Sequence, residues 1–131
     1  MMSEIEKQTA LGRIEVTNFE ATPRIDGGAF TISEATVTEE FAGDLVGVGS
    51  MMLVMVNEPG GTAHFTGIEQ FLGKVGDRSG TFVFQNSGRL EGGELRSEWL
   101  VIHGSGTEEL AGLHGKGGCT PAGYRLEYWF E

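Results

Sequence analysis

A single cysteine, Cys119, leaves the chain without an internal disulfide, and with no CxxC partner and no basic cluster beyond Lys116 it reads as an inert thiol. Basic residues are also scarce. Nine Lys and Arg stand against nineteen Asp and Glu, for a formal net charge of -10. Such a chain is repelled by phosphate backbones and anionic surfaces, so neither nucleic acid nor a membrane is an expected partner. No apolar run approaches the roughly 18 to 20 residues that span a bilayer. The longest, Met51 to Val56, is strand-sized. A basic segment leading into an apolar run and a cleavage site is missing at the N-terminus, which with the unpaired cysteine predicts a cytoplasmic protein. Helical periodicity of useful length is missing too. Only Thr107-Glu108-Glu109-Leu110 fits a helical turn, with Thr107 placed to cap it.

What the chain has in quantity is glycine. The 22 glycines follow no triplet period and come with only three prolines, so they punctuate structure and do not form a low-complexity tract. Between them lie segments rich in Val, Ile, Thr and aromatics, as in a sandwich or barrel. Strands are predicted at residues 11–18, 29–41, 45–56, 62–73, 79–86, 94–102 and 123–130, with an eighth around Leu11 or Gly104. Turns fall at 42–44, 57–61, 74–78 and 87–93. No helical crossovers separate the strands, so they must pair antiparallel. The fold class is therefore all-β: one domain over residues 1–131, an eight-stranded antiparallel barrel, with residues 1–10 as a flexible N-terminal segment.

Two strands are especially informative. In the last, Tyr124, Leu126, Tyr128 and Phe130 alternate with Arg125, Glu127, Trp129 and Glu131, so the first set faces the core. The segment from Leu45 to Val56 is apolar on both faces: Leu45, Met51, Leu53 and Met55 alternate with Val46, Val48, Met52, Val54 and Val56. The outside of a barrel in water should be polar, so this strand predicts a homo-oligomer; a covering loop or the N-terminal segment is the other explanation.

Three stretches carry a resemblance: Gly67-Ile68-Glu69-Gln70-Phe71-Leu72-Gly73, Gly80-Thr81-Phe82-Val83-Phe84-Gln85-Asn86-Ser87-Gly88, and the run from Gly104 to Leu113. Together they resemble a bacterial family of uncharacterised small proteins whose fold is like the allene oxide cyclase barrel. The similarity extends from about Ala29 to Phe130. It implies a calycin-like eight-stranded barrel, usually oligomeric, with a largely apolar interior, and no established activity. Allene oxide cyclases hold a reactive oxylipin in an apolar barrel, where a buried carboxylate and a water steer ring closure. Where the family commonly has a histidine after Phe-Val-Phe-Gln, this chain has Asn86, which speaks against proton transfer there.

Strand alternation places Glu69 on the face of Phe65 and Phe71, making it the candidate catalytic carboxylate, with desolvation raising its pKa. The other explanation is a structural or solvent-facing carboxylate, if the register is one residue off. Phe82, Phe84 and Asn86 share a face, as do Trp99, Val101 and His103. Asn86, Trp99, Phe71, Phe84 and Tyr128 are accordingly the candidate ligand contacts, with plain core packing the alternative for the aromatics. Adjacent Glu39 and Glu40 point to opposite faces and form no catalytic pair. His64, His103 and His114 lack HxH or HExxH spacing, so no metal site is predicted, and no motif asks for a cofactor. The glycine-rich run 104–118 lacks the P-loop order and reads as a turn closing one end of the barrel. Three functions remain open. The first is a lumen that binds a small apolar molecule, the second a cyclase or isomerase using Glu69, and the third a packed scaffold without a ligand.

Overall fold

The structure, a computed structural model, describes residues 5–131. Eight strands run β1 (Gln8–Asp26), β2 (Thr31–Gly43), β3 (Leu45–Asn57), β4 (Ala63–Val75), β5 (Arg78–Glu91), β6 (Glu94–Val101), β7 (Leu113–Thr120) and β8 (Gly123–Phe130). Each pairs antiparallel with its sequence neighbours, and β1 pairs with β8 to close the barrel. The all-β antiparallel expectation holds. The only helical element described is a 3-10 turn at Glu108–Leu110. Thr107 precedes it as expected but makes no side-chain cap.

The strand boundaries correct the sequence reading in two places. First, the eighth strand is neither at Leu11 nor at Gly104: it is Leu113–Thr120, which begins inside the run read as a closing turn. Its glycines hid it, because strand propensity counts them as breakers. At Gly117 a Cβ would overlap the Arg125 carbonyl oxygen of β8, so this strand needs glycine to approach its neighbour. Second, β1 begins at Gln8 and continues to Asp26, where residues 1–10 were expected to be flexible and the strand to stop at 18. Residues 8–10 pair with β8, and Ala10 is fully buried. Residues 1–4 lie outside the described part. Past Gly12, β1 pairs only with β2, with register shifts at 16–18 and 23–25. That makes it an edge, where Pro23 is tolerated because no neighbour needs its missing N–H.

The loop from Gly104 to Leu110 stands in for strand pairing. Beyond Phe84, toward its start, β5 has no β6 partner. There Ser105 Oγ accepts from the Val83 N–H at 3.0 Å, Thr107 Oγ1 from the Thr81 N–H at 3.1 Å, and Glu109 Oε1 from the Ser79 N–H at 3.0 Å. These side chains satisfy backbone donors that would otherwise go unpaired, which accounts for the loop without any phosphate.

The proximal end, where the β2–β3 and β4–β5 turns lie, is tied to β8 by Tyr124. Its hydroxyl accepts from the Leu45 N–H at 2.9 Å and donates to the Ala42 carbonyl at 2.7 Å. Tyr124→Phe strands a buried N–H, and it is expected to cost about 1–3 kcal/mol, seen as a lower urea midpoint with an unchanged slope.

Inside, the core forms two apolar clusters. The larger includes Phe41, Phe71, Phe82, Phe84, Trp99, Tyr124 and Leu126, and the smaller comprises Ala35, Val37, Met51 and Leu53 with Met55 and Phe65 against it. Six rings of the first cluster close a belt, Phe41–Phe71–Phe82–Phe84–Trp99–Tyr124, with successive centroids 4.9 to 5.8 Å apart. Phe41 also reaches Trp99 at 6.0 Å, so the belt is filled and not an open ring.

Candidate functional site

Between the two clusters lies a polar layer. On β2, Glu39 sits between inward Val37 and Phe41; on β4, Glu69 sits two residues before Phe71; on β5, Asn86 sits two residues after Phe84. Trp99 is the cross-strand partner of Asn86, Ser97 is two residues away on the same face of β6, and Cys119 is the partner of Ser97. Glu69 is 0% exposed, Asn86 5% and Glu39 6%. Alternation thus delivers polar side chains from five strands to one level of the barrel.

Glycine makes room for the carboxyl groups. Gly49 on β3 pairs with Glu39 on one side and Phe71 on the other. A Cβ on Gly49 would overlap Glu69 Oε2 and come within 2.8 Å of the Phe41 ring. The Glu69 carboxyl therefore lies over the bare backbone of β3, where it meets Glu39.

The two carboxyl groups interact directly. Burial is the main force that pushes the Glu69 pKa up to about 9, and the hydrogen bond and charge of Glu39 add to it. Burial also raises Glu39, against the lowering effect of its bond to Glu69. Two carboxylates this close and this dry cannot both ionise, so at neutral pH the pair holds a proton, and Glu69 is the member that keeps it. Asn86 Nδ2 donates to Glu69 Oε1 at 3.1 Å, fixing the carboxyl from the β5 side. Burial pushes the Cys119 thiol up, with Glu39 and Glu69 adding to the shift, so it is a poor nucleophile here.

Five buried polar atoms in this layer lack a protein hydrogen-bond donor or acceptor: Glu39 Oε1, Glu69 Oε2, Asn86 Oδ1, Ser97 Oγ and Trp99 Nε1. A proton shared between the two carboxyl groups accounts for part of this set. Asn86 Oδ1, Ser97 Oγ and Trp99 Nε1 are left over, and buried polar atoms left unpaired are costly.

The layer is sealed, but an apolar surface leads to its edge. Val16 of β1 is the cross-strand partner of Glu39, and Phe19 that of Val37, so both lie on the lumen side of the sheet. Because β8 stops pairing with β1 at Gly12, Val16 and Phe19 are about half exposed. The distal end is thus a flared apolar mouth with Glu39 at its inner rim.

Of the predicted contacts, Glu69, Asn86, Trp99, Phe71 and Phe84 come together as expected. Tyr128 does not join them: its hydroxyl donates to Gln8 Oε1 at 3.2 Å, and Asp44 and Asp77 of the proximal turns are its charged neighbours. His103 leaves the face of Trp99 and is exposed, its ring 4.7 Å from that of His114. Among the described residues no cluster of His, Cys, Asp and Glu is arranged to hold a metal ion. Glu39 was missed. It does not pair with Glu40, as expected, but it does pair across β3 with Glu69.

Fold and site together define a class: a closed antiparallel eight-stranded barrel built around a buried pair of neighbouring carboxyl groups. A family model described as protein of unknown function, DUF3224, matches residues 10–131. The chain belongs to the DUF3224 family. It is similar to a crystal structure of a protein of unknown function from the DUF3224 family of Shewanella oneidensis, with 26% identity over 98% of each chain and a TM-score of 0.73. No curated protein matches it. The expected link to an uncharacterised bacterial family holds, and the match reaches further toward the N-terminus than Ala29. No described helix is long and apolar enough to cross a membrane.

Proposed function

We propose that the barrel binds a small, largely apolar molecule carrying one neutral oxygen function, such as an alcohol or ketone, with its body on the flared mouth and its oxygen in the polar layer. The observation that carries this reading is the set of unpaired buried atoms. Ser97 Oγ and Trp99 Nε1 offer donors, Asn86 Oδ1 offers an acceptor, and Val16 and Phe19 supply apolar surface leading inward. Entry requires Met51, Leu53, Met55 and Phe65 to give way, and flexible methionine side chains repack readily. A charged ligand is disfavoured, because a carboxylate would meet the buried Glu39 and Glu69 in a dry interior.

A second reading rests on the protonation of Glu69. A buried carboxyl group that keeps its proton at neutral pH can hand that proton to a bound molecule and recover it, which suits an isomerisation or a ring closure in the allene oxide cyclase manner. In that case Glu69→Gln keeps binding and loses turnover.

The test uses 2-decanone and decanol as probes, with Trp99 fluorescence as the signal in a Trp129→Phe background, together with native mass spectrometry of gently purified protein. A saturable fluorescence change, lost in Val16→Glu, is the expected result. No change at the solubility limit of either probe, with no small molecule retained in the mass spectrum, would overturn the binding proposal in favour of a packed scaffold.

A further inference from the structure

The outward face of β3 and β4 is apolar where a barrel wall should be polar. Outward residues of β3 are Val46, Val48, Ser50, Met52, Val54 and Val56, and those of β4 are His64, Thr66, Ile68, Gln70, Leu72 and Lys74. Met52 is 73% exposed and Leu72 61%. Cross-strand register sets Met52 beside Ile68 and Val48 beside Leu72, so the apolar residues form one continuous patch. It forms part of a shallow groove of about 850 Å³ whose walls include Met52, Val54 and Ile68 and, on the β1–β2 side, Glu20, Arg24 and Glu34.

Charge narrows what can cover it. In a chain of net charge -10, not one outward position of β3 or β4 carries a carboxylate. Two copies of so acidic a protein repel where their carboxylates meet, and the outward face of β3 and β4 carries none of them. Its rims are of opposite sign. Glu40 projects from the β2 side, where Glu34 is already paired with Arg24 of β1 at 3.3 Å, and Lys74 projects from the β4 side. Register places Glu40 beside Val48, and Val48 beside Leu72, so Lys74 lies two residues nearer the proximal end than Glu40 on the other side of β3, an offset that two long side chains can span.

We propose that this face docks a second copy of the same chain about a two-fold axis, the β2 rim of each copy lying over the β4 rim of the other so that Glu40 meets Lys74 twice. A two-fold contact is self-complementary, and a patch with one acidic and one basic edge satisfies it only in this sense; β2 over β2 would leave both Glu40 carboxylates without Lys74. The apolar centre supplies the affinity, and the rim pairs set the orientation.

Sedimentation velocity over a range of concentrations tests this with the full chain. The wild type is expected to be a dimer, and Met52→Asp to weaken it about 100-fold or more by burying a charge at the centre. Glu40→Lys and Lys74→Glu are each expected to weaken it about five- to tenfold, and the double variant to recover most of the loss. Circular dichroism melts keep the reading clean, because exposed substitutions leave the monomer folded. A wild type that stays monomeric at every concentration, or a dimer untouched by Met52→Asp, overturns the proposal. Single rim variants without effect, or a double variant weaker than either, overturn the β2-over-β4 arrangement.

Discussion

Glu69→Gln is expected to stabilise the protein at neutral pH and to reduce the pH dependence of its stability between pH 5 and 9 to what buried Glu39 still contributes. In the unfolded chain Glu69 titrates near the ordinary 4.5; in the barrel it titrates at about 9. Below 4.5 both states hold the proton, and no penalty exists. From there to 9 the unfolded chain releases a proton that the native state retains, so stability falls as pH rises. Above 9 the loss levels off. At about 1.4 kcal/mol per pH unit the loss reaches about 3 kcal/mol at pH 7. Glutamine is neutral throughout, can still accept from Asn86 and can donate its amide to Glu39, so it keeps the contacts without the titration. Urea melts at pH 5, 7 and 9 provide the check. Parallel slopes for wild type and variant would mean that Glu69 is already ionised in the native state.

Gly49→Ala is the second large effect, and its sign is the opposite. A methyl group there overlaps Glu69 Oε2 and crowds Phe41 at 2.8 Å. Neither neighbour can yield: Glu69 is held by Glu39 and Asn86, and Phe41 packs edge-on against Phe71 at 5.1 Å. Overpacking at such a position costs about 3 kcal/mol, the upper end of the usual range, with loss of the carboxyl pairing added. Thermal unfolding measures it. Combined with Glu69→Ala, which empties the contested space, Gly49→Ala is expected to cost much less than it does alone. Full additivity would mean that the two residues do not meet.

Alternation alone revealed the inward faces. Glu69 with Phe71, Phe84 with Asn86, and the core side of β8 all follow from period two, because a half-buried strand has only two ways to face. The carboxyl pair was harder to see, since it depends on three strands at once. Hairpin counting outward from the turn at 42–44 brings Glu39 opposite Gly47, and counting from the turn at 57–61 brings Gly49 opposite Glu69; in the structure both hairpins are centred one residue later, so Glu39 lies opposite Gly49 and Gly49 opposite Phe71. The faces were therefore legible and the register was two residues off in each hairpin, and the significance of a missing side chain at Gly49 emerges only when the strands are set side by side. β7 was obscured for a related reason: its glycines serve close backbone approach, which propensity scores as a break. The distal half of β1 was hidden by Pro23 and by two register shifts that interrupt its alternation. Tyr128 faces inward as expected, but facing inward does not fix height along the barrel, and it lies at the proximal end.

The most direct test is carboxyl carbon-13 NMR of protein labelled at the glutamate side-chain carbon, titrated from pH 4 to 10 and assigned with Glu69→Gln. One resonance is expected to keep the shift of a neutral carboxyl group through pH 7, to move only near 9, and to be absent from the Glu69→Gln spectrum. If every glutamate resonance has moved to its ionised position by pH 6, the shared proton does not exist and the buried pair is not the centre of this barrel.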